Sequence, residues 1–305
     1  GAQMVKNLVL ENISVGFKLP QGVFYAVDDV SLNLPGGNFT AIIGESGCGK
    51  SVLGQAILNI LPSGVIKKGR VLYNGEQVEK ILSAFGIIPQ NPSESLNPVR
   101  KIGKQMQDIL DVHNIVDSSN SYKKHCLRLF GLQEAERVLA AYPHELSGGM
   151  LQRVLCAMAV SSKPEWILAD EPTKGLDEQV GAVVRKNLLT IKQDLHLSML
   201  IITHDIALAQ EVCDDVLVMY AGQVLEHNAD IWHKPLHPYT KGFLKALPKN
   251  GLQVIPGKAP VPGESFTGCK FAARCPYCTT RCKEEKPAMQ QVGNAEVRCF
   301  LYAEG

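Results

Sequence analysis

The stretch Gly44-Glu45-Ser46-Gly47-Cys48-Gly49-Lys50-Ser51 decides the fold of this chain. It follows an apolar run, Phe39–Ile43, that is typical of a buried strand, and it precedes a segment with helical apolar spacing over 51–61. Glycines between a strand and a helix let successive backbone N–H groups turn inward on phosphate oxygens. Lys50 can then reach the β- and γ-phosphates, and the Ser51 hydroxyl can ligate Mg²⁺. The stretch therefore predicts a nucleotide-binding phosphate loop.

A second motif lies downstream, where the apolar run Trp166–Ala169 ends in two acids, Asp170 and Glu171. An acid at the end of such a strand can reach the Mg²⁺ shell beside a phosphate loop. Because Glu171 comes directly after Asp170, its carboxylate can point elsewhere, towards an attacking water. The pair predicts hydrolysis of the bound nucleotide.

Composition narrows the class of protein. The chain has 305 residues, a 45% hydrophobic fraction and a net charge of +1. The charge balance does not favour a nucleic-acid partner, which calls for a strongly basic patch. No apolar run approaches the roughly 20 residues that span a bilayer, and no secretory signal is present at the start. We expect a cytoplasmic protein.

The order of apolar patterns predicts an α/β fold. Residues 5–43 indicate an antiparallel β region, and the helical period predominates over about 91–160. Strand-like runs then alternate with helical segments, which predicts a core of parallel strands. We expect a nucleotide-binding domain over 4–250 and a linker with a Cys-rich C-terminal extension over 251–305.

A glycine-rich turn, Ser147-Gly148-Gly149, lies between the phosphate loop and the acidic strand. Motifs in this order resemble the ATPase subunits of ATP-binding cassette (ABC) transporters. The resemblance covers residues 5 to 300 and implies a RecA-like parallel core, an antiparallel β subdomain and a helical subdomain. It also implies that ATP and Mg²⁺ bind at the phosphate loop. In that family the glycine-rich turn caps the nucleotide held by a partner subunit, so Ser147, Gly148 and Gly149 are implied contacts across a dimer.

The same resemblance gives roles to residues outside these motifs. Gln90 corresponds to the family's Q-loop, which contacts Mg²⁺ or water and senses the membrane subunit. His204 corresponds to the switch histidine on the γ-phosphate, and Asp177 lies in the loop that crosses the dimer interface. Adenine is stacked by an aromatic residue of the first β region, for which Phe17 is preferred and Tyr25 is the alternative.

Further motifs resemble the oligopeptide, dipeptide and nickel importers within the family. They are Ser95-Leu96-Asn97-Pro98, His237-Pro238-Tyr239-Thr240, Ile255-Pro256-Gly257 and the spacing of the C-terminal cysteines. The resemblance implies two transmembrane permease subunits, a second ATPase subunit that is usually a different sister chain, and indirectly an extracytoplasmic solute-binding protein. It places the chain at the cytoplasmic face of the cell membrane. Peptide and nickel cargoes both remain open, as do homodimer and heterodimer.

Five of the nine cysteines crowd the last 40 residues of the chain: Cys269, Cys275, Cys278, Cys282 and Cys299. In a cytosolic chain this favours metal binding over disulfides. Four thiolates can bind a [4Fe–4S] cluster or a zinc ion. The resemblance implies a [4Fe–4S] cluster on Cys269, Cys275, Cys282 and Cys299 and leaves Cys278 spare, whereas the spacing Cys275-x2-Cys278 keeps zinc open. Because this tail follows a linker, we expect ATP binding at Lys50 to survive loss of the cluster.

Two other functions deserve weighing against an importer ATPase. A soluble cassette ATPase of DNA repair or translation usually carries a long coiled coil or two tandem cassettes, and this sequence has neither. A metal- or redox-sensing ATPase would use the Cys-rich tail as its centre and ATP only for switching.

Overall fold

The computed structural model describes residues 6–20, 22–77, 81–247, 253–261 and 263–303, apart from the side chains of 92 and 93. The chain forms two compact units. The first comprises Gly1–Asn7, Pro35–Phe39 and Val78–Val212, and the second comprises Leu8–Leu34, Thr40–Gln77 and Cys213–Gly305. Residue 4 and the junction between 250 and 251, which were the predicted domain limits, lie outside the described residues.

The elements run in the following order along the chain. The strands are β1 (Leu8–Leu19), β2 (Gly22–Leu34), β3 (Phe39–Gly44), β4 (Ile66–Tyr73), β5 (Glu76–Gln77), β6 (Phe85–Ile88), β7 (Trp166–Asp170), β8 (Ser198–Ile202), β9 (Asp215–Tyr220), β10 (Gln223–Asn228), β11 (Gln290–Val292) and β12 (Ala295–Val297). The α-helices are α1 (Lys50–Leu58), α2 (Pro92–Ser95), α3 (Ile102–Val112), α4 (Ser121–Leu129), α5 (Ala135–Ala140), α6 (Gly148–Ser161), α7 (Glu178–Thr190), α8 (Ile206–Val212), α9 (Pro238–Lys245) and α10 (Thr280–Glu284).

The second unit contains two sheets. Strands β2, β1, β4 and β5 form an antiparallel sheet in that order, as the sequence predicts for the first β region. In the other sheet β3 runs parallel to β9, and β9, β10, β12 and β11 continue as antiparallel neighbours. The C-terminal extension therefore adds two strands to a sheet that also holds the strand before the phosphate loop. The order of segments in the sequence predicts a tail beyond a linker. It does not predict that β12 of this tail pairs with β10.

The first unit contains the acidic strand and the helical region. Strand β6 pairs in parallel with β7, with Phe85 opposite Trp166. Strand β7 pairs in parallel with β8, with Trp166 opposite Ser198. Trp166 is fully buried, and its indole Nε1 donates to the Lys6 carbonyl oxygen at 2.9 Å. Helix α6 packs with α3, α4 and α7 and buries most of its apolar side chains. Within the described residues, no helix is long and apolar enough to cross a bilayer.

Helix α9 of the second unit begins at a buried histidine. His237 Nδ1 accepts from the Tyr239 N–H at 3.0 Å, and the His237 N–H donates to Glu226 Oε2 at 2.8 Å. Since Nδ1 is the acceptor, the imidazole is neutral, and its burial lowers the pKa of His237 to about 3. This start fixes Tyr239, whose hydroxyl contacts the phosphate loop.

We expect His237→Asn to reduce the loss of the free energy of unfolding as the pH falls below 7. The folded-state pKa of His237 lies below its ordinary value of 6.5, so unfolding takes up a proton between these two values. Stability is therefore lost as pH falls through this window, by up to about 1.4 kcal/mol per pH unit from this residue. Asn retains a side-chain acceptor for the helix start but does not titrate. Urea unfolding of both proteins at pH 7 and pH 5 measures the slope, and equal slopes would contradict the assignment.

Candidate functional site

The phosphate loop of the second unit is shaped by close backbone contacts. At Gly44, with φ 152°, an added Cβ would lie 2.2 Å from the Met219 carbonyl oxygen. At Gly49, with φ 103°, it would lie 2.1 Å from the Ala26 carbonyl oxygen. Real Cβ atoms do not approach so closely, so only glycine fits either position. The loop is thereby held against β9 on one side and β2 on the other.

The lysine of the loop folds back over it. Helix α1 begins at Lys50, whose side chain is buried and whose Nζ donates to the carbonyl oxygens of Gly44 at 3.0 Å and Glu45 at 3.1 Å. Ser46, Gly47 and Ser51 lie at the exposed surface of the same turn, while Cys48 is buried beneath it. The positive end of a helix and an ammonium group thus converge on one concave turn, the arrangement that binds phosphate.

The second residue of the loop is paired with the C-terminal extension. Glu45 Oε1 and Oε2 accept from Arg274 Nη1 at 3.1 and 3.2 Å, and the Arg274 side chain is only 7% exposed. The Tyr220 hydroxyl accepts from the same guanidinium at 3.3 Å, and the Glu45 N–H donates to the Tyr239 hydroxyl at 3.1 Å. The C-terminal segment therefore contacts the phosphate loop directly, which a linker in the sequence does not indicate. Sequence reasoning missed Arg274, because this residue belongs to no motif. Its position directly before Cys275 is the one feature of the sequence that could have drawn attention to it.

In the first unit, the two acids Asp170 and Glu171 differ in burial and in backbone conformation. Asp170 ends β7 and is half-buried, whereas Glu171 is buried and adopts φ 48°. A non-glycine residue in this left-handed region is uncommon and tends to occur at functional sites. The Glu171 N–H donates to the Ile202 carbonyl oxygen at 2.7 Å, which turns its side chain away from the line of the strand.

Glu171 contacts the predicted switch histidine. Its Oε2 lies 2.6 Å from His204 Nδ1 and accepts from the His204 N–H at 3.3 Å. The Glu171 side chain is 11% exposed, while that of His204 is 58% exposed. The carboxylate thus orients an imidazole that stays open to solvent. Next to it, Asp205 accepts from the Thr173 hydroxyl at 3.2 Å and so joins the two loops that carry these residues.

The remaining predicted residues of the first unit lie at its surface. Gln90 is exposed beyond the end of β6. Asp177 begins α7, where its Oδ1 accepts from the Val180 N–H at 2.9 Å, so this side chain has a capping role within the chain. Residues 173–177 connect it to Glu171 through a tight turn, in which the Lys174 N–H donates to the Glu171 carbonyl oxygen at 3.1 Å.

The Ser-Gly-Gly turn opens α6. Ser147 Oγ accepts from the Met150 N–H at 3.3 Å, as expected for a helix N-cap. An added Cβ at Gly148 or Gly149 would meet no atom within 4 Å, and neither residue has a positive φ. The fold of this chain therefore does not require glycine at either position. Both leave space for another molecule to approach the helix N-terminus.

The two aromatic candidates for adenine stacking lie on neighbouring strands of the second unit. Phe17 pairs with Phe24 across β1 and β2, and both are partly exposed. Tyr25 pairs with Gly16, and the Lys68 ammonium lies 5.3 Å from the centre of its ring.

A cavity of about 200 Å³ in the extension brings together four of the five clustered cysteines: Cys269, Cys275, Cys282 and Cys299. Cys278 does not line it and instead donates from Sγ to the Thr279 carbonyl oxygen at 3.5 Å. Cys275 and Cys278 share a turn, in which the Cys278 N–H donates to the Cys275 carbonyl oxygen at 3.3 Å, but only Cys275 lines the cavity.

Each cavity cysteine has a neutral hydrogen-bond donor. The backbone N–H groups two residues further on, at Phe271, Tyr277 and Leu301, donate to Cys269, Cys275 and Cys299. The Thr279 hydroxyl lies 3.3 Å from the sulfur of Cys282. Burial, together with the neighbouring cysteines, raises the pKa of Cys269 to about 11.

One metal ion does not fit this arrangement. Over the part of the chain that the structure describes, no group of three or more His, Cys, Asp or Glu side chains is placed to hold a metal ion. Sulfurs around one tetrahedral zinc lie only about 3.8 Å apart, given Zn–S bonds of about 2.3 Å. Neither the zinc alternative nor the predicted [4Fe–4S] cluster therefore has a preformed metal site among the described residues.

The strand–loop–helix of the phosphate loop and the acidic strand with its paired histidine define an ATP-binding cassette ATPase. Residues 27–174 match the model of the ABC transporter family, and 225–282 match that of the oligopeptide/dipeptide transporter C-terminal region.

Similar proteins narrow the family. The chain is 34% identical to an oligopeptide transport ATP-binding protein, OppD, of Haemophilus influenzae, over 97% of this chain and 98% of that one. It is 36% identical to the dipeptide transport ATP-binding protein DppD of Escherichia coli, over 94% of each. The chain belongs to the ATP-binding subunits of oligopeptide/dipeptide ABC transporters, and it is an ATPase. Neither alternative function is supported.

Solved structures agree on the fold. The cassette cbiO1 of Clostridium perfringens, part of an ABC transporter complex, has a TM-score of 0.61 and 26% identity, covering 74% of this chain and 89% of that one. The cassette MJ0796, in a dimeric post-hydrolysis state with ADP and Pi, has a TM-score of 0.60 and 25% identity, covering 73% and 98%.

We expect Gly44→Ala and Gly148→Ala to differ sharply in stability. Gly44→Ala forces a Cβ onto the Met219 carbonyl at a positive φ and should lower the free energy of unfolding by more than about 2 kcal/mol. Gly148→Ala adds a methyl group in open space and should change it by less than about 0.5 kcal/mol. Urea unfolding of the two variants checks this, and similar losses in both would show that the Ser-Gly-Gly turn is constrained by its own chain.

Proposed function

We propose that this chain hydrolyses ATP to drive the import of peptides through a membrane transporter. The observation that carries the hydrolytic role is the 2.6 Å contact between Glu171 and His204. A buried carboxylate with an oriented histidine suits activation of a water molecule. Peptide cargo is supported by the printed functions of the OppD and DppD relatives. Nothing comparable supports nickel.

The phosphate-binding roles follow the geometry of each motif. The exposed turn of the phosphate loop, the start of α1 and the Lys50 ammonium bind the phosphates. The Ser51 hydroxyl, the Asp170 carboxylate and the Gln90 amide complete the Mg²⁺ shell. These are oxygen ligands, which Mg²⁺ prefers. Glu171 accepts the proton of the attacking water, and His204 donates to the γ-phosphate.

A second ATPase subunit completes the site. Ser147, Gly148 and Gly149 cap the nucleotide of that partner, and Asp177 lies at the same junction. The open space around the two glycines supports this role, because the chain's own packing gives no reason for them. The similar cassette MJ0796 is itself dimeric with ADP and Pi.

The other partners are those of an importer. Two transmembrane permease subunits hold the ATPase pair at the cytoplasmic face of the cell membrane, and an extracytoplasmic solute-binding protein delivers the cargo. The exposure of Gln90 beyond β6 supports a role for this residue in responding to a permease. We assign residues 4–250 to the nucleotide-binding domain and 251–305 to the linker and extension.

The extension holds a [4Fe–4S] cluster on Cys269, Cys275, Cys282 and Cys299. These four thiols would serve as the iron ligands of the cluster. One cavity lined by all four of these cysteines supports this assignment. When bound, a cluster supplies four iron–thiolate bonds and one-electron redox capacity.

Glu171→Gln should lower the ATPase rate by about 10²–10⁴-fold while ATP binding persists, because the water loses its proton acceptor and the phosphate contacts remain. Phosphate release and nucleotide binding by the purified protein measure the two effects. Glu165→Gln is the matched control, since Glu165 precedes the opposite end of β7 and pairs with Lys6 at 3.1 Å. A Glu171→Gln protein as active as the control would refute the assignment.

Anaerobically purified protein should be brown, absorb near about 400 nm and contain about four irons and four sulfides per chain. Cys282→Ser should lose the colour, because it removes a cavity thiolate, whereas Cys278→Ser should keep it. Iron and sulfide analysis of the three proteins checks this. Colourless wild-type protein with one zinc per chain would overturn the cluster and restore Cys278 as a ligand.

A further inference from the structure

A cavity of about 310 Å³ opens beside the phosphate loop in the second unit. Gly47, at the exposed turn of the loop, lines one side together with Phe24 and Tyr25 of β2. The volume is at the lower end of the range of about 300–1,000 Å³ for small-molecule sites. A ligand whose phosphates occupy the loop can place its remaining part here.

The opposite side of this cavity comes from the C-terminal extension. Pro260, Val261 and the segment 263–266 line it, and Phe266 contributes an aromatic ring. None of these residues belongs to the motifs that identify a cassette ATPase. The wall therefore adds a part to the nucleotide region that those motifs do not include.

A buried ion pair holds this wall in place. Lys270 Nζ lies 2.8 Å from Asp28 Oδ2 and donates to the Ala221 carbonyl oxygen at 2.8 Å. The Lys270 side chain is 7% exposed, and its ammonium lies 5.7 Å from the centre of the Phe266 ring. Asp28 and Ala221 also line the cavity, so the extension is anchored to the floor of the same site.

Two of the apolar side chains that line the cavity are exposed to solvent. Val23 of β2 is 45% exposed, and Val261 of the extension is 64% exposed. The lining also includes the aromatic side chains of Phe24, Tyr25 and Phe266, which suit contact with a flat ring. Bases stack readily on such surfaces, since every base has a π-face. Phe17, the preferred sequence candidate, does not line the cavity.

We propose that the adenine and ribose of ATP lie in this cavity, so that Val261 and Phe266 of the extension form one wall of the nucleotide site. The phosphate loop binds the triphosphate, and the extension supplies contacts to the base. The extension is thus a determinant of nucleotide affinity. This proposal rests on ATP binding at the phosphate loop.

The test compares ATP with tripolyphosphate, which has the phosphates but no base, by titration calorimetry with Mg²⁺. Val261→Asn places a polar amide under the base, and Phe266→Leu removes the ring while keeping an apolar side chain. Each should weaken ATP binding about tenfold and leave tripolyphosphate binding unchanged. Val254→Asn is the matched control, because Val254 is an 83% exposed valine of the same segment outside the cavity.

The outcomes of these titrations distinguish the base site from the phosphate site. Loss of ATP affinity in both cavity variants but not in Val254→Asn supports the proposal. Wild-type affinity for ATP in both cavity variants, with ATP still bound more tightly than tripolyphosphate, would overturn it and place the base elsewhere, while the phosphate-loop assignment stands. If the wild-type protein binds neither ligand, the phosphate-loop assignment fails as well.

Discussion

The second unit depends on backbone approaching backbone at two glycines. Gly44 and Gly49 bring the phosphate loop so close to the carbonyl oxygens of Met219 and Ala26 that no side chain fits between them. This contact sets the curvature of the loop, the start of α1 and the inward course of Lys50. It also ties the loop to β9 and to β2, so the strands around it define the shape of the anion site before any ligand arrives. The glycine pattern is thus a packing requirement as well as a means of exposing N–H groups.

Much of this organisation follows from the sequence because its determinants are contiguous. The phosphate loop, the acidic strand and the Ser-Gly-Gly turn are short segments whose local conformation is set by glycine and by apolar spacing, and the antiparallel β region is found as predicted. The pairing of Glu45 with Arg274 joins residues 229 positions apart and has no local signature. The left-handed backbone of Glu171 is equally hidden, because a glutamate gives no sign of positive φ. Long-range pairing and tertiary strain are what sequence patterns leave out.

The extension is the part of the molecule where sequence order misleads most. A Pro- and Gly-rich segment indicates a linker, yet β12 pairs with β10 and completes a sheet that includes the strand before the phosphate loop. The similar solved cassettes cover about three quarters of this chain, whereas the peptide-transport relatives cover nearly all of it. The extension is thus a structural part of the unit that holds the phosphate loop. Its cysteine cavity and its nucleotide-facing wall lie within one connected piece of the fold.

The contact between Arg274 and Glu45 also sets the charge that a triphosphate meets. An acidic residue at the second position of a phosphate loop repels the anion it serves, and here the guanidinium from the extension neutralises that carboxylate. A fragment ending before the extension would keep every ATPase motif, but it would present an uncompensated negative charge beside the phosphates. Such a fragment is therefore a poor surrogate for the whole subunit in drug screening or in chimeric transporters. A chimeric protein that contains the cassette must therefore either include Arg274 or carry a neutral residue in place of Glu45.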